Sequence, residues 1–230
     1  MTILVITPDR GSRSRPSDFA GAFRPEAEAF SLVHSGCVTV RVDQSQDAAG
    51  RFRQLVAAVE EHAPETLAYF GHGLARGLPS AGVTLGNVTV LAAALAHAST
   101  SPRVVLYACL AAEDLTSGDA GLPGGDGGLA DRLRDDCVKH GAPGVQVDAH
   151  GSSSQLKGRI HDLGGHTTQN PYVRRFAGPE SKQAVGGEWI VPDTSPLWRP
   201  WVRALRTPFR FRFPFLSVAE IRAKLAEVQV

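Results

Sequence analysis

Cysteine is scarce in this chain of 230 residues: Cys37, Cys109 and Cys137 stand far apart and in odd number. Such a set makes no disulfide framework. A reducing cytoplasm is therefore the expected compartment, and each thiol has to be judged on its own. Long apolar runs are also lacking. No stretch approaches the roughly 20 residues of a membrane-spanning helix. The opening run Thr2 to Thr7 is too short for a signal peptide, lacks a basic leader and stops at Pro8-Asp9-Arg10. No membrane partner is expected. Nor is there an excess of one charge: 24 Lys and Arg stand against 23 Asp and Glu, a formal net charge of +1. That balance gives no global attraction to nucleic acid or to an acidic bilayer. Internal repeats are absent as well.

What the chain does have is ordinary for a globular domain: 43% apolar and 20% charged residues. Its length suits one domain with a sizeable core. Short apolar runs recur at Ile3–Ile6, Cys37–Val42, Thr66–Phe70, Arg103–Ala108 and Val145–Ala149, and each reads as a strand, mostly a buried one. Helical spacing falls between them. Glu26–Leu32 reads as a short helix. Phe52, Leu55, Val56 and Val59 lie on one stripe of a helix that Asp47 opens and Pro64 closes. Leu91–Ala98 is another helix, and Leu129, Leu133, Cys137 and Val138 form a fourth stripe. Residues 9–25, 74–87 and 116–128 read as loops. The last of these carries six glycines and is expected to be mobile. Strands alternating with helices predict an α/β fold, a mostly parallel sheet flanked by helices. Residues 1–177 form the predicted α/β domain. Residues 178–230 are an irregular C-terminal extension packing on it.

In such a sheet, function gathers at the carboxyl ends of the strands. Two of those ends carry reactive side chains, in Phe70-Gly71-His72-Gly73 and in Leu106-Tyr107-Ala108-Cys109. One crossover helix joins the two strands, so they should lie side by side or one apart. A thiolate can attack while an imidazole moves protons to the leaving group. The glycines beside His72 allow a sharp turn. They also leave the amide of Gly73, with that of Cys109, to face a developing oxyanion.

An apolar strand ending in His-Gly, a helix, and an apolar strand ending in Cys among small residues together resemble the caspase-like cysteine peptidases. The motifs Gly71-His72-Gly73 and Val104-Val105-Leu106-Tyr107-Ala108-Cys109 are similar to those of the CHAT branch. The resemblance covers roughly residues 1–150. It implies a three-layer caspase-like sandwich and a thiol protease, a hydrolase with Cys109 as nucleophile, His72 as base and no cofactor. The chain departs from many relatives in following its cysteine with Leu110-Ala111-Ala112-Glu113 rather than Gly or Ser.

Other features carry competing readings. Cys109 at a strand end can be a small core hydrophobe, and His72 a turn residue capping a carbonyl. Cys37 and Cys137 read as structural. Asp148, His150, His161 and His166 cluster, yet no tight metal-ligand spacing supports a metal site, and none is assigned. His166, in the turn-rich Gly164–Pro171 segment, is a candidate lining residue of a substrate cleft. Glu113, Asp114, Asp119 and Asp126 follow the proposed nucleophile with no Lys or Arg among them. They are either a solvated loop or a pocket for a basic substrate side chain, which predicts a peptide or protein substrate cut after Arg or Lys. Near the C-terminus, Trp198, Trp201, Phe209, Phe211, Phe213 and Phe215 interleave with Arg199, Arg203, Arg206, Arg210 and Arg212. That pattern suits an edge strand or a docking surface for a protein partner better than nucleic acid. The alternative function is a catalytically silent module that binds a partner through this segment.

Overall fold

The computed structural model describes residues 2–9, 23–34, 36–113, 115, 127–150, 173–178 and 181–184. Its centre is a seven-stranded sheet. In chain order the elements are β1 (Ile3–Pro8), α1 (Arg24–Val33), β2 (Cys37–Val42), α2 (Ala48–His62), β3 (Thr66–Phe70), β4 (Gly77–Leu78), β5 (Val83–Thr84), α3 (Val88–Ala98), β6 (Arg103–Tyr107), α4 (Leu129–Lys139), β7 (Gln146–His150), β8 (Val173–Ala177) and β9 (Ser181–Ala184). The strand order is β2-β1-β3-β6-β7-β8-β9. The first five strands pair in parallel, and β8 and β9 add antiparallel strands at one side. The expected α/β architecture, a mostly parallel sheet flanked by helices, is the one observed.

The central strands β1, β3 and β6 are buried on both faces, as a doubly covered parallel sheet requires, whereas β2 at the edge is partly exposed. All six residues of β1 are buried. On one face Leu4, Ile6, Leu67, Tyr69, Val104 and Leu106 join the core formed with α2, α3 and α4. Alternation turns Ile3, Val5, Ala68, Phe70, Val105 and Tyr107 to the opposite face. There α1 lies over β1, β2 and β3. The crossover rule explains the split. The connection from β1 to β2 steps one way along the sheet and the next three step the other way, so right-handed crossovers place α1 on the face opposite α2, α3 and α4. Asp47 opens α2 as predicted, accepting the Gly50 N–H at 2.6 Å.

Three features depart from the sequence reading. Residues 74–87 are more than a loop: β4 and β5 form a small antiparallel hairpin around a 3₁₀ turn at Pro79–Ala81, with Leu78, Ala81 and Val83 buried. The Gln44 side chain anchors it, donating to the carbonyls of Val42 at 2.9 Å and Ser80 at 2.8 Å. Helix α4 buries charge beneath its apolar stripe. Arg134 and Asp131 are fully buried and paired with each other, and Arg134 also meets Asp135 at 2.7 Å. Finally, the sheet continues past residue 177, because β9 pairs with β8. The Trp/Arg/Phe segment, nearly all of the Gly-rich loop at 116–128, and His161 and His166 lie outside the described residues.

Candidate functional site

His72 and Cys109 stand at the carboxyl ends of β3 and β6, and these strands are neighbours. Their ladder runs in register from Thr66 opposite Arg103 to Phe70 opposite Tyr107. It continues one step further, with the Gly71 N–H donating to the Tyr107 carbonyl at 3.4 Å. His72 and Cys109 each come two residues after the last pair, just beyond the ends of the two strands. Adjacent strands are about 4.8 Å apart, so the pairing brings the segments that carry an imidazole and a thiol to neighbouring strand ends. The site also borders the place where the strand order reverses, between β1 and β3. Open α/β sheets form their ligand crevices at such a point.

Local backbone geometry holds the two ends together. Gly73 packs directly on the β6 end. A Cβ there would run into the carbonyl oxygen of Cys109 and lie 2.6 Å from Ala108 Cβ. Gly71 leaves room for the Tyr69 ring, since its Cβ would fall 2.6 Å from Tyr69 Cζ. The Tyr69 hydroxyl donates to the His72 carbonyl at 3.0 Å and ties the turn back to its own strand. Gly73 and Cys109, the two predicted backbone donors for an oxyanion, therefore sit on strand ends in close contact.

Below the pair lies an aromatic floor. Phe70 and Tyr107 stack with centroids 4.4 Å apart and planes 14° from parallel. Phe30 of α1 meets both edge-on, at 5.6 and 6.2 Å. Phe23 meets the His72 ring edge-to-face at 5.0 Å and 84°. In this half-buried setting, loss of hydration pushes the His72 pKa below its ordinary value, leaving a neutral imidazole at pH 7 that can accept a proton. The other thiols are less suited to attack. Burial pushes Cys137 up to about 12, with Asp136 adding to the effect, and its Sγ lies 3.8 Å from the Ala92 carbonyl. Burial also raises Cys37, against a smaller opposing effect of its hydrogen bond to Ser31.

The residue after Cys109 is conformationally unusual. Leu110 has φ +57°, in the left-handed region that glycine adopts without cost. Strain of this kind gathers at functional sites. The chain then turns back, with the Glu113 N–H donating to the Leu110 carbonyl at 2.9 Å. Glu113 is exposed on this turn, directly after Cys109. Asp114, Asp119 and Asp126 lie outside the described residues. No family model matches the chain, and no curated protein matches it.

Among the described residues no group of three or more His, Cys, Asp or Glu is placed to hold a metal ion, and His161 and His166 lie outside them. Asp148 is buried and engaged by protein partners, Gln146 Nε2 at 2.9 Å and Arg103 at 3.7 Å. No helix among the described residues is long and apolar enough to cross a membrane. Phe23, Tyr69 and Leu110 are site-forming residues that sequence reading missed. Phe23 fell in a segment read as loop. The other two declare themselves only through a hydrogen bond and a backbone angle.

Proposed function

We propose that this chain is a caspase-like cysteine peptidase, similar to the CHAT branch, acting in a reducing compartment such as the cytoplasm. Cys109 is the nucleophile and His72 the general acid–base. The observation that carries this reading is the position of the two residues just past the carboxyl ends of adjacent, paired parallel strands. The half-buried imidazole, its pKa lowered by loss of hydration, supports it.

The chemistry follows from those positions. His72 takes the Cys109 proton as sulfur attacks the carbonyl carbon of the scissile peptide. The negative charge that develops on the carbonyl oxygen is met by backbone N–H groups of Gly73 and Cys109. His72 then passes the proton to the amide nitrogen, the C–N bond breaks, and an amine leaves from a thioester on Cys109. Water attacks the thioester as His72 removes its proton. The acid product departs and the proton returns to sulfur. Glu113 and the carboxylates that follow it favour a basic residue before the scissile bond, because a buried Lys or Arg needs an anionic partner.

The test uses the full chain and fluorogenic peptides that differ only at the residue before the cut, with iodoacetamide labelling read by mass spectrometry. Cleavage after Arg or Lys, fast alkylation confined to Cys109, and loss of turnover in folded Cys109→Ala and His72→Ala are the expected results. Preference for Asp before the cut would remove the acidic loop from the pocket. Full activity in either variant would remove the dyad. No cleavage together with sluggish alkylation of Cys109 would point to the silent, partner-binding module.

A further inference from the structure

We propose that Phe23 is a positioning residue for His72: its ring, edge-on to the imidazole, fixes the tilt of the base and shields one side of it from water. The inference rests on the peptidase reading and extends it to an element outside the two motif strands. The contact is specific, with centroids 5.0 Å apart, planes at 84° and Phe23 itself buried. This is the favoured perpendicular arrangement of two rings.

The second observation is where Phe23 sits. It is the N-cap residue of α1, and no side chain caps this end. Ser, Thr, Asp or Asn normally fills such a position and satisfies one of the first amides of the helix. Phenylalanine cannot. Here only backbone closes the first turn, with the Ala27 N–H donating to the Phe23 carbonyl at 3.1 Å. A residue that forgoes capping and buries its ring against a base departs from local preference where a site would require it. Because Phe23 begins the helix that, among the described residues, covers this face of β1, β2 and β3, docking of α1 and orientation of His72 become a single event.

The ionisable groups on the elements around the imidazole are Tyr69 on β3, Tyr107 and Cys109 at β6, Asp9 just beyond β1, and Arg24, Glu26, Glu28 and His34 on or beside α1. Arg24 is paired with Glu28 at 2.6 Å. Phe23 acts on the base by contact and dehydration and brings no charge of its own.

The experiment follows the His72 ring protons by NMR from pH 5 to 8 in the full chain and, separately, the iodoacetamide rate at Cys109. In the parent, the ring protons should carry a ring-current shift from Phe23. Phe23→Leu keeps apolar bulk without the ring. It should raise the His72 midpoint toward the ordinary histidine value and slow Cys109 alkylation about tenfold through lost alignment. Phe23→Tyr keeps the ring and should retain both properties. Phe30→Leu, which removes the ring that meets Phe70 and Tyr107, should leave the His72 midpoint in place. An unmoved midpoint in folded Phe23→Leu, or equal shifts from Phe23→Leu and Phe30→Leu, overturns the proposal. So does a parent spectrum without the ring-current shift, which decides the matter even if Phe23→Leu fails to fold. A moved midpoint with Cys109 alkylating like a small-molecule thiol in every protein supports the hold of Phe23 on His72 and overturns the peptidase reading.

Discussion

Gly73→Ala is the sharpest perturbation of the site. The added methyl group would stand 2.6 Å from Ala108 Cβ and against the carbonyl oxygen of Cys109. Carbon atoms in contact sit about 3.5–4.0 Å apart, so the two strand ends must separate by roughly 1 Å. Neither neighbour can swing away, because one is backbone and the other a Cβ on a buried strand end. Overpacking of this kind costs about 1–3 kcal/mol. With a urea dependence of about 1–3 kcal/mol per molar, the denaturation midpoint should fall by about 1 M. The chemical effect should be larger. A displacement near 1 Å between a base and its nucleophile costs about a hundredfold in rate. Urea titration and the pH 7 alkylation rate of Cys109, measured on the same Gly73→Ala protein, test both numbers. A parent-like midpoint with a parent-like rate would show that Gly73 does not press on the β6 end, and the register argument for the site would fall with it.

Three further outcomes follow from other parts of the molecule. The folded-state pKa of His72 is lowered by burial, so the unfolded chain binds its proton first as pH falls. Stability should therefore decline as pH drops below the ordinary histidine value of about 6.5 and level off below the folded-state value. In His72→Gln that part of the slope should vanish from urea midpoints measured between pH 8 and 5, and an unchanged slope would assign it elsewhere. Arg134→Ala should cost about 3–5 kcal/mol because it strands the buried Asp131 carboxylate. Arg134→Met with Asp131→Leu should regain most of that loss, and a double variant weaker than the single one would refute the account. Leu110→Gly should stay within about 1 kcal/mol of the parent, since release from the left-handed region, worth roughly 1 kcal/mol, offsets the lost side chain. A loss well beyond that in thermal or urea unfolding would mean the leucine side chain governs this turn.

Much of this arrangement was legible in the residues. Leu67–Phe70 and Val104–Ala108 are continuous apolar runs because both faces of their strands are covered, and such runs stand out without alternation. The chirality of one crossover then made them neighbours, and the Gly-His-Gly and Ala-Cys endings fell together. The β4–β5 hairpin was not legible, because two-residue strands carry no period. Strands β8 and β9 were missed because their segments, Val-Arg-Arg-Phe-Ala and Ser-Lys-Gln-Ala, carry no clear apolar alternation. The buried pair Arg134 and Asp131 was not legible because apolar spacing gives no sign of charged residues that turn inward to meet each other. Phe23 was read as loop because its role is a contact between rings from separate elements, which no local signal records.

The pairing of β3 with β6 has a consequence for how the chain matures. The segment between Phe70 and Arg103 contains the β4–β5 hairpin and all of α3, so the two strand ends meet only after a long excursion of chain has closed. Contacts of this separation form late and slowly compared with helices. On the peptidase reading, nothing brings the imidazole to the sulfur until that ladder closes, and Cys109 is until then chemically an ordinary cysteine. On a ribosome, β3 and its histidine emerge before β6 exists. Reactivity at Cys109, if the proposed dyad forms, is then tied to completion of the sheet.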